Sequence, residues 1–328
     1  MLRKTWFAGI VAAFMCCPLF YACASGQASV LAAKNAATAD TSRSQEDMST
    51  IDLSRTHLIP AKPIDSETDH APTFTRHLVR VSWRPLDPID LYIITPNGVA
   101  RPPVVLYLYS YPSDADRFMN DRYCAELTRH GCAAVGFVSA LTGSRYRFRP
   151  MKEWFVSELQ ESLISSTHDV QLIINYLETR KDVDAGKVAM FGQGSGGTIA
   201  ILAASVDARI KAIDLLNPWG DWKHWTAASA LIPERERTQL TGSAFLGGVA
   251  DLDPVRILGA LTHPKIRLRQ VTEDPYTPVT CQEAVASALP RGAVRERFAR
   301  NTDLRNAIAG GRLFAWTAEQ LKLQTATR

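Results

Sequence analysis

The stretch Val188-Ala-Met-Phe-Gly-Gln-Gly-Ser-Gly-Gly-Thr-Ile-Ala-Ile-Leu-Ala-Ala-Ser205 joins three segments of different character. The apolar run 188–191 is typical of a buried strand, and the Ala- and Ile-rich run that ends at Ser205 is typical of a helix packed on a sheet. Four glycines and one serine separate them. Glycine permits the positive φ and the close backbone approach that so tight a turn requires. Such a turn can hold a reactive group or an anion at the helix N-terminus.

The turn matches a nucleophile elbow, G-x-S-x-G, in its glycines but not in its central residue. Gly192 and Gly196 are the outer small residues, and Gly194 stands where the attacking side chain is normally carried. Ser195 follows one place later, where its backbone N–H is expected to serve an oxyanion hole. Centring the motif on Ser195 makes Gln193 an outer residue, which is too large for close packing. The pattern therefore predicts the fold together with a vacant nucleophile position.

A dinucleotide-binding turn is the second interpretation of the same residues. Gly192, Gly194 and Gly197 satisfy G-x-G-x-x-G. Asp214 lies near the distance expected for an acidic residue that binds a ribose. However, that fingerprint normally opens its domain, and several strands are predicted before Val188. The export signal described below also disfavours a cytoplasmic cofactor. We therefore favour the elbow and expect no cofactor.

Residues 1–24 have the composition and order of a bacterial export signal. Arg3-Lys4 is a positive segment, residues 6–20 are apolar, and Ala22-Cys-Ala24 fits the small-x-small cleavage pattern. The apolar run is short for a membrane span, which needs about 20 residues. We expect an exported protein of the bacterial periplasm or cell envelope, cleaved after Ala24.

A lipoprotein signal is the alternative for this segment. In that case Cys23 is lipidated and anchors the chain to the membrane, although Phe20 and Tyr21 fit poorly where small or aliphatic residues are usual. Residues 25–70 are rich in Ala, Ser, Thr and Asp and have no apolar periodicity. This composition predicts a flexible linker between the exit site and the folded domain.

The composition excludes several other classes of function. The 328 residues are 46% hydrophobic and 21% charged, which is ordinary for a globular chain with a large core. The formal charge of +4 includes Arg3 and Lys4, and no basic run is interleaved with aromatic residues, so nucleic-acid binding has no support. No His, Cys and Asp residues cluster at ligand spacing, so no metal site is expected.

The folded domain is predicted for residues 71–328. It begins with an antiparallel pair of strands and continues as buried strands that alternate with helices. The predicted strands are residues 77–83, 90–95, 103–109, 132–138, 188–191, 209–216, 265–271 and 295–299. Residues 218–260 contain three tryptophans and helical segments without a core strand, which indicates a lid-like insertion. This order predicts a mostly parallel, doubly wound sheet with ligands at the carboxyl ends of its strands.

With these segments in place, the chain resembles the α/β-hydrolases, near their dienelactone-hydrolase, acetyl-xylan-esterase and prolyl-oligopeptidase-type branches. The resemblance covers residues 75–325 and rests on the segments 169–184, 188–197, 207–212 and 273–278. It implies the α/β-hydrolase fold, a serine esterase or peptidase lineage, and a small-molecule, ester or peptide substrate.

The resemblance also implies positions for a catalytic triad. Asp274 matches the acid, which follows the strand ending at Val271, although a turn-forming role before Pro275 is equally open. The histidine position after the last strand is vacant, because no histidine follows His263. A backbone N–H near Tyr111 is expected to complete the oxyanion hole with that of Ser195.

His224 offers one replacement for the missing base. It lies in the loop after the strand 209–216, on the edge where the elbow is expected, and so is a candidate partner of Ser195. The alternative is a histidine packed among the tryptophans of a lid. A serine without its base is a poor nucleophile. Two functions therefore stay open: an impaired or altered hydrolase that uses Ser195, Asp274 and His224, and a non-catalytic protein that binds a carboxylate or other anion in the retained pocket.

Overall fold

A nine-stranded sheet organises the chain in the computed structural model, which describes residues 46–111, 115–141, 145, 158–309 and 312–323. The strands are β1 (Ile64–His70), β2 (Phe74–Val81), β3 (Ile89–Pro96), β4 (Pro103–Leu108), β5 (Ala133–Gly136), β6 (Asp184–Gln193), β7 (Ile210–Leu216), β8 (Lys265–Val271) and β9 (Val294–Phe298). Their order in the sheet is β1-β2-β3-β5-β4-β6-β7-β8-β9. The pairs β1–β2, β2–β3 and β3–β5 are antiparallel, and all other neighbours are parallel. The predicted fold class, a mostly parallel sheet with an antiparallel start, is confirmed.

Helices connect these strands. They are α1 (Asp121–Thr128), α2 (Leu159–Thr179), α3 (Ser195–Val206), α4 (Trp222–Ala228), α5 (Glu234–Leu240), α6 (Ser243–Val249), α7 (Pro254–Leu258), α8 (Val279–Ser287), α9 (Asn301–Ile308) and α10 (Arg312–Leu323). The predicted insertion, residues 218–260, holds the helices α4 to α7 and no strand, and it lies between β7 and β8. None of the helices that the structure describes is both long and apolar enough to cross a bilayer.

The two faces of the sheet bury separate apolar clusters. Along β6, Val188 and Met190 face one cluster, whereas Ala189 and Phe191 face the other. Helices α2 and α3 cover the first face, and α1 and α10 cover the second. A parallel strand covered on both sides must be apolar on both sides, which explains the continuous apolar runs of the sequence.

Residues 46–70, expected from the sequence to belong to a flexible linker, are part of the folded unit. Strand β1 pairs with β2 over its length, and the segment before it is tied to α2. The Gln171 side chain accepts the Leu53 N–H at 3.2 Å and donates to the Ile51 carbonyl at 2.8 Å. Strand β1 lies at the edge of the sheet and is almost entirely exposed, so it carries no apolar alternation that a sequence pattern could detect. Residues 1–45 lie outside the described part.

A buried ion network fastens this segment to the core. Asp169 of α2 is fully buried, forms an ion pair with Arg84, and accepts the Arg145 Nη1 at 2.7 Å and the Trp83 Nε1 at 2.9 Å. Arg84 in turn forms an ion pair with Glu46 at 2.5 Å. The Asp169 carboxylate therefore binds the guanidinium groups of Arg84 and Arg145, which lie in separate loops. Arg84 also binds Glu46, at the beginning of the described chain.

We expect Asp169→Asn to lower the free energy of unfolding by about 3–5 kcal/mol, because two buried arginines lose a charged partner. Burial raises the pKa of Asp169, but attraction and hydrogen bonds from Arg84 and Arg145 outweigh burial and lower it from 3.8 to about 2. The carboxylate therefore contributes its full stabilisation above pH ~4 and loses it as the pH falls through ~2. Urea unfolding of both proteins across this range measures the difference.

The matched control is Asp251→Asn, which removes a carboxylate from a fully exposed ion pair with Arg256. Its effect should stay within about 0.5 kcal/mol. Equal stability of the Asp169→Asn variant and the wild type at neutral pH would contradict the stabilising role of the network.

Candidate active-site cleft

The turn between β6 and α3 has the geometry of a nucleophile elbow. Gly194 is the single residue between the strand and the helix, and it adopts φ +52° and ψ −119°. Its N–H donates to the Leu216 carbonyl at 3.0 Å, and its carbonyl accepts the Gly197 N–H at 3.0 Å. A residue other than glycine is strained at this φ. The chain therefore passes directly from strand to helix through one glycine.

The two outer glycines stand where strand and helix touch. A Cβ on Gly192 would lie 2.4 Å from the Gly196 carbonyl oxygen, and a Cβ on Gly196 would lie 2.3 Å from the Leu108 carbonyl oxygen. Both contacts are with backbone, which has little freedom to move away. The structure thus places Gly192, Gly194 and Gly196 together in the turn, as the motif predicts.

The space that a nucleophilic side chain would need at the elbow is already filled. A Cβ built on Gly194 would lie 2.2 Å from the Ser110 Oγ, 2.7 Å from the Ser110 Cβ and 3.0 Å from the Trp219 Nε1. Ser110 comes from the loop after β4, so a hydroxyl from a different strand occupies this place. No pattern in the sequence pointed to Ser110.

Ser195 points away from the cleft. It is the first residue of α3, it is completely buried, and its Oγ accepts the Tyr111 N–H at 3.0 Å. The structure therefore brings together the two residues predicted to form the oxyanion hole. However, the Tyr111 N–H is engaged by the Ser195 hydroxyl, so a substrate oxygen would have to displace that hydroxyl to use this donor.

A cleft of about 420 Å³ opens beside the elbow, at the carboxyl ends of four strands. Its polar lining includes Ser110 after β4, Gln193 at the end of β6, Asn217 after β7 and Asp274 after β8, together with Arg117 and Asn301. Tyr111, Trp219 and Tyr276 supply aromatic walls. Its position is the one at which doubly wound sheets bind their ligands.

Asp274 is held in the wall of this cleft by two hydrogen bonds. One carboxylate oxygen accepts the Asn217 Nδ2 at 2.7 Å, and the other accepts the Tyr276 N–H at 3.0 Å. The Asn217 side chain is fixed in turn, because its Oδ1 accepts the Val271 N–H at 2.8 Å. Asp274 therefore occupies the position expected for a triad acid and also turns the chain after β8.

His224 does not reach the cleft. It lies on α4 with a side chain that is 57% exposed, and its Nδ1 is 2.7 Å from the Asp221 Oδ2. It is not packed among the tryptophans either: Trp219, Trp222 and Trp225 form a buried cluster of their own. The lining of the cleft contains no histidine among the described residues. The predicted constellation of Ser195, Asp274 and His224 is therefore not brought together.

One positive charge faces the cleft. The Arg117 guanidinium stacks on the Tyr109 ring, with its Cζ 3.6 Å from the ring centroid. Burial raises the pKa of Tyr109, and the neighbouring Arg117 only partly opposes this effect, so the phenol remains protonated. Among the described lining residues, Arg117 is the one cation and Asp274 the one carboxylate. The described residues contain no group of three His, Cys, Asp or Glu placed to hold a metal ion.

Asp214 cannot make the ribose contact that the dinucleotide interpretation requires. It is completely buried within the sheet, and its two oxygens accept hydrogen bonds from the guanidinium groups of Arg267 and Arg269. This removes the acidic partner on which the G-x-G-x-x-G interpretation depended.

Fold and cleft together define an α/β-hydrolase fold, and solved structures share it. The acetyl xylan esterase from Paenibacillus sp. R4 has a TM-score of 0.57 at 15% identity, over 75% of this chain and 83% of that chain. The S-formylglutathione hydrolase from Agrobacterium tumefaciens has a TM-score of 0.57 at 13% identity, over 78% of this chain and 99% of that chain. The acylaminoacyl peptidase of Pyrococcus horikoshii has a TM-score of 0.51 at 13% identity, over 82% of this chain and 50% of that one. The chain has the α/β-hydrolase fold predicted from its sequence. No family model and no curated protein matches it.

We expect Gly194→Ala to destabilise the protein by more than the roughly 1–2 kcal/mol that a positive φ costs, because the new Cβ also meets Ser110. Adding Ser110→Gly removes the obstructing Oγ and Cβ and should restore about 1–3 kcal/mol of the lost free energy of unfolding. Chemical unfolding of the single and double variants measures this recovery. Gly98→Ala is the matched control, because Gly98 has φ +77° and no atom within 4 Å of its Cβ position. An effect of Gly194→Ala no larger than that of Gly98→Ala would contradict the occupied nucleophile position.

Proposed function

We propose that this chain is an exported protein of serine esterase or peptidase lineage whose cleft binds a ligand, while serine-hydrolase turnover is lost or severely impaired. The observation that carries the proposal is the occupied nucleophile position: Gly194 has no side chain, and Ser110 and Trp219 fill the space beside it. Structural similarity to esterases and peptidases supports the lineage.

The chemistry of acyl transfer explains why turnover should be impaired. A serine needs a base to take its proton and a group to orient that base. Here Ser195 is buried, and Ser110 fills the space beside Gly194 where the nucleophile would stand. The described lining contains no histidine. Asp274 remains, but it has no imidazole to orient. Without a base, attack by a neutral hydroxyl at pH 7 is slow.

The remaining groups are suited to holding a polar ligand. Ser110 and Gln193 supply a hydroxyl and an amide group, and Arg117 supplies a cation. The N-terminus of α3 follows Gly194 of the same lining. Backbone N–H groups and the helix dipole at such a terminus favour negative charge. We infer that the ligand is a small molecule with a carboxylate or other anionic group and an apolar part that packs on the aromatic walls.

Residual hydrolysis through Ser110 is the second candidate function. Its Oγ lies 2.2 Å from the position of the missing Cβ at residue 194, close to where the attacking oxygen of an elbow would stand. The same lack of a base applies to this hydroxyl. Any turnover should therefore be limited to the roughly 10³–10⁴-fold over water that binding and an oxyanion hole supply without a complete triad.

We expect no burst and no stoichiometric labelling when the wild-type protein is treated with a fluorophosphonate, and only slow hydrolysis of short activated esters. His224→Ala should leave any slow rate unchanged, because its side chain does not line the cleft. Ser195→Ala should not lower that rate, because the Ser195 hydroxyl occupies the Tyr111 N–H and its removal frees this donor. Rapid labelling that is lost in Ser195→Ala would overturn the proposal. Loss of the rate in Ser110→Ala alone would favour the second candidate.

Binding is tested separately with short-chain carboxylates, followed by the fluorescence of Trp219, which lines the cleft. Arg117→Gln should weaken binding about tenfold or more, because it removes the cation of the cleft. Arg122→Gln, on the exposed face of α1, is the charge-matched control and should bind as the wild type does. Equal loss in both variants, or no saturable response in the wild type, would contradict a binding cleft for such anions.

Export rests on the order of residues 1–24, which carry a basic segment, an apolar segment and Ala22-Cys-Ala24. We expect protein purified from its native envelope to begin at Ser25, as intact-mass measurement would show. A diacylated N-terminal Cys23 would establish the lipoprotein alternative instead. A chain that retains Met1 in the cytoplasm would contradict both.

A further inference from the structure

A second cavity, lined by arginine side chains, lies away from the candidate cleft. It has a volume of about 520 Å³ and is bounded by β8, β9, the end of α9 and the start of α10. Its charged lining includes Arg267, Arg269, Arg312 and Glu296. Arg297 also borders it, but that guanidinium pairs with Glu283 of α8 at 2.9 Å. No residue of this cavity lines the cleft beside Gly194.

The two arginines of β8 are unusual for their place in the fold. Strand β8 lies between β7 and β9 in a parallel arrangement, where both faces are normally apolar. Instead, Arg267 and Arg269 alternate with Leu268 and so lie on the same face, next to Asp214 of β7. Arg267 and Arg269 are 6% and 1% exposed, and Asp214 is 0% exposed. A buried charge is costly unless it is paired, so this group requires an explanation.

The single buried carboxylate does not satisfy both guanidinium groups. Asp214 accepts two hydrogen bonds from Arg267, at 3.0 and 2.8 Å, and one from the Arg269 Nη2 at 2.7 Å. Glu296 adds an ion pair to Arg267 at 3.7 Å. In contrast, the Arg269 Nε is buried and has no hydrogen-bond partner among the described residues. Burial lowers the pKa of Arg269, which means that its positive charge is incompletely compensated.

Arg312 adds a third positive charge at the mouth of the cavity. Among the described residues, its side chain donates only to backbone carbonyls near the end of α9, those of Ala309 at 3.1 Å and Asn306 at 3.0 Å. No carboxylate among the described residues forms an ion pair with it. The guanidinium groups of Arg267, Arg269 and Arg312 therefore face two carboxylates, those of Asp214 and Glu296. The net charge of these five groups is +1.

We propose that this cavity binds a phosphate-type oxyanion, which pairs with Arg312 and offsets the incompletely compensated positive charge of Arg269. Guanidinium groups match the oxygens of a phosphate in geometry and charge, and such bonds are strong in a partly buried site. The cavity exceeds the size of an inorganic phosphate, so it also admits a phosphate group carried by a larger molecule. The excess of guanidinium groups over carboxylates in this lining is the feature that a bound anion explains.

Isothermal titration of the whole protein with inorganic phosphate, at constant ionic strength, tests the site. We expect one saturable site, weakened about tenfold or more by Arg312→Gln, because that change removes one of the two arginines that receive the anion. Arg269→Lys keeps a positive charge beside Asp214 but lacks the planar fork, and it should also weaken binding. Thermal unfolding of each variant establishes that it is folded.

Arg305→Gln is the matched control, because Arg305 is exposed on α9 and lies outside the cavity lining. It should bind phosphate within about twofold of the wild type, since diffuse surface charge contributes little at this ionic strength. Titration with phenyl phosphate distinguishes free phosphate from a phosphate ester as the ligand. Tighter binding of phenyl phosphate than of inorganic phosphate indicates an ester. Absence of saturable binding by either compound, or equal loss in Arg305→Gln and Arg312→Gln, would overturn the proposal.

Discussion

The passage of the chain through Gly194 is the constraint on which the rest of the structure depends. Strand β6 must turn into helix α3 within one residue, and only glycine adopts the required φ of +52° without strain. The turn also presses Gly192 and Gly196 against neighbouring backbone. This close packing sets the position of α3 on the sheet, beside the cleft at the carboxyl ends of the parallel neighbours β4, β6, β7 and β8.

The same turn keeps the backbone geometry of the fold but has no nucleophilic side chain at its central residue, Gly194. In a serine hydrolase the strained residue carries the attacking oxygen, whereas here Ser110 approaches from β4 and fills that space. The hydroxyl at the start of α3 belongs to Ser195, and it occupies the Tyr111 N–H instead of facing the cleft. The backbone geometry is therefore retained, whereas the described lining contains no histidine that could take the proton of a hydroxyl. We propose that this arrangement serves as a binding cleft.

Two buried groups of charges show how differently the fold uses its arginines. Around Asp169, the guanidinium groups of Arg84 and Arg145 are matched by the carboxylates of Glu46, Asp87 and Asp169, and they tie loops together. Around Asp214, one fully buried carboxylate faces two buried arginines, and a nitrogen of Arg269 is left without a partner among the described residues. The first group stabilises the fold, whereas the second leaves a positive cavity that an anion can complete.

The sequence alone determined the fold class, the elbow and the vacancy at residue 194, because glycine spacing and apolar runs are local signals of backbone geometry and burial. It also indicated that no histidine follows the last strand. It could not place Ser110 at the elbow, because that contact joins residues far apart in the chain. Nor could it show that β1 extends the sheet, since an exposed edge strand has no apolar alternation. The tertiary structure alone decided that His224 points to solvent and that Arg267 and Arg269 meet Asp214, because side-chain direction and charge pairing depend on which strands become neighbours.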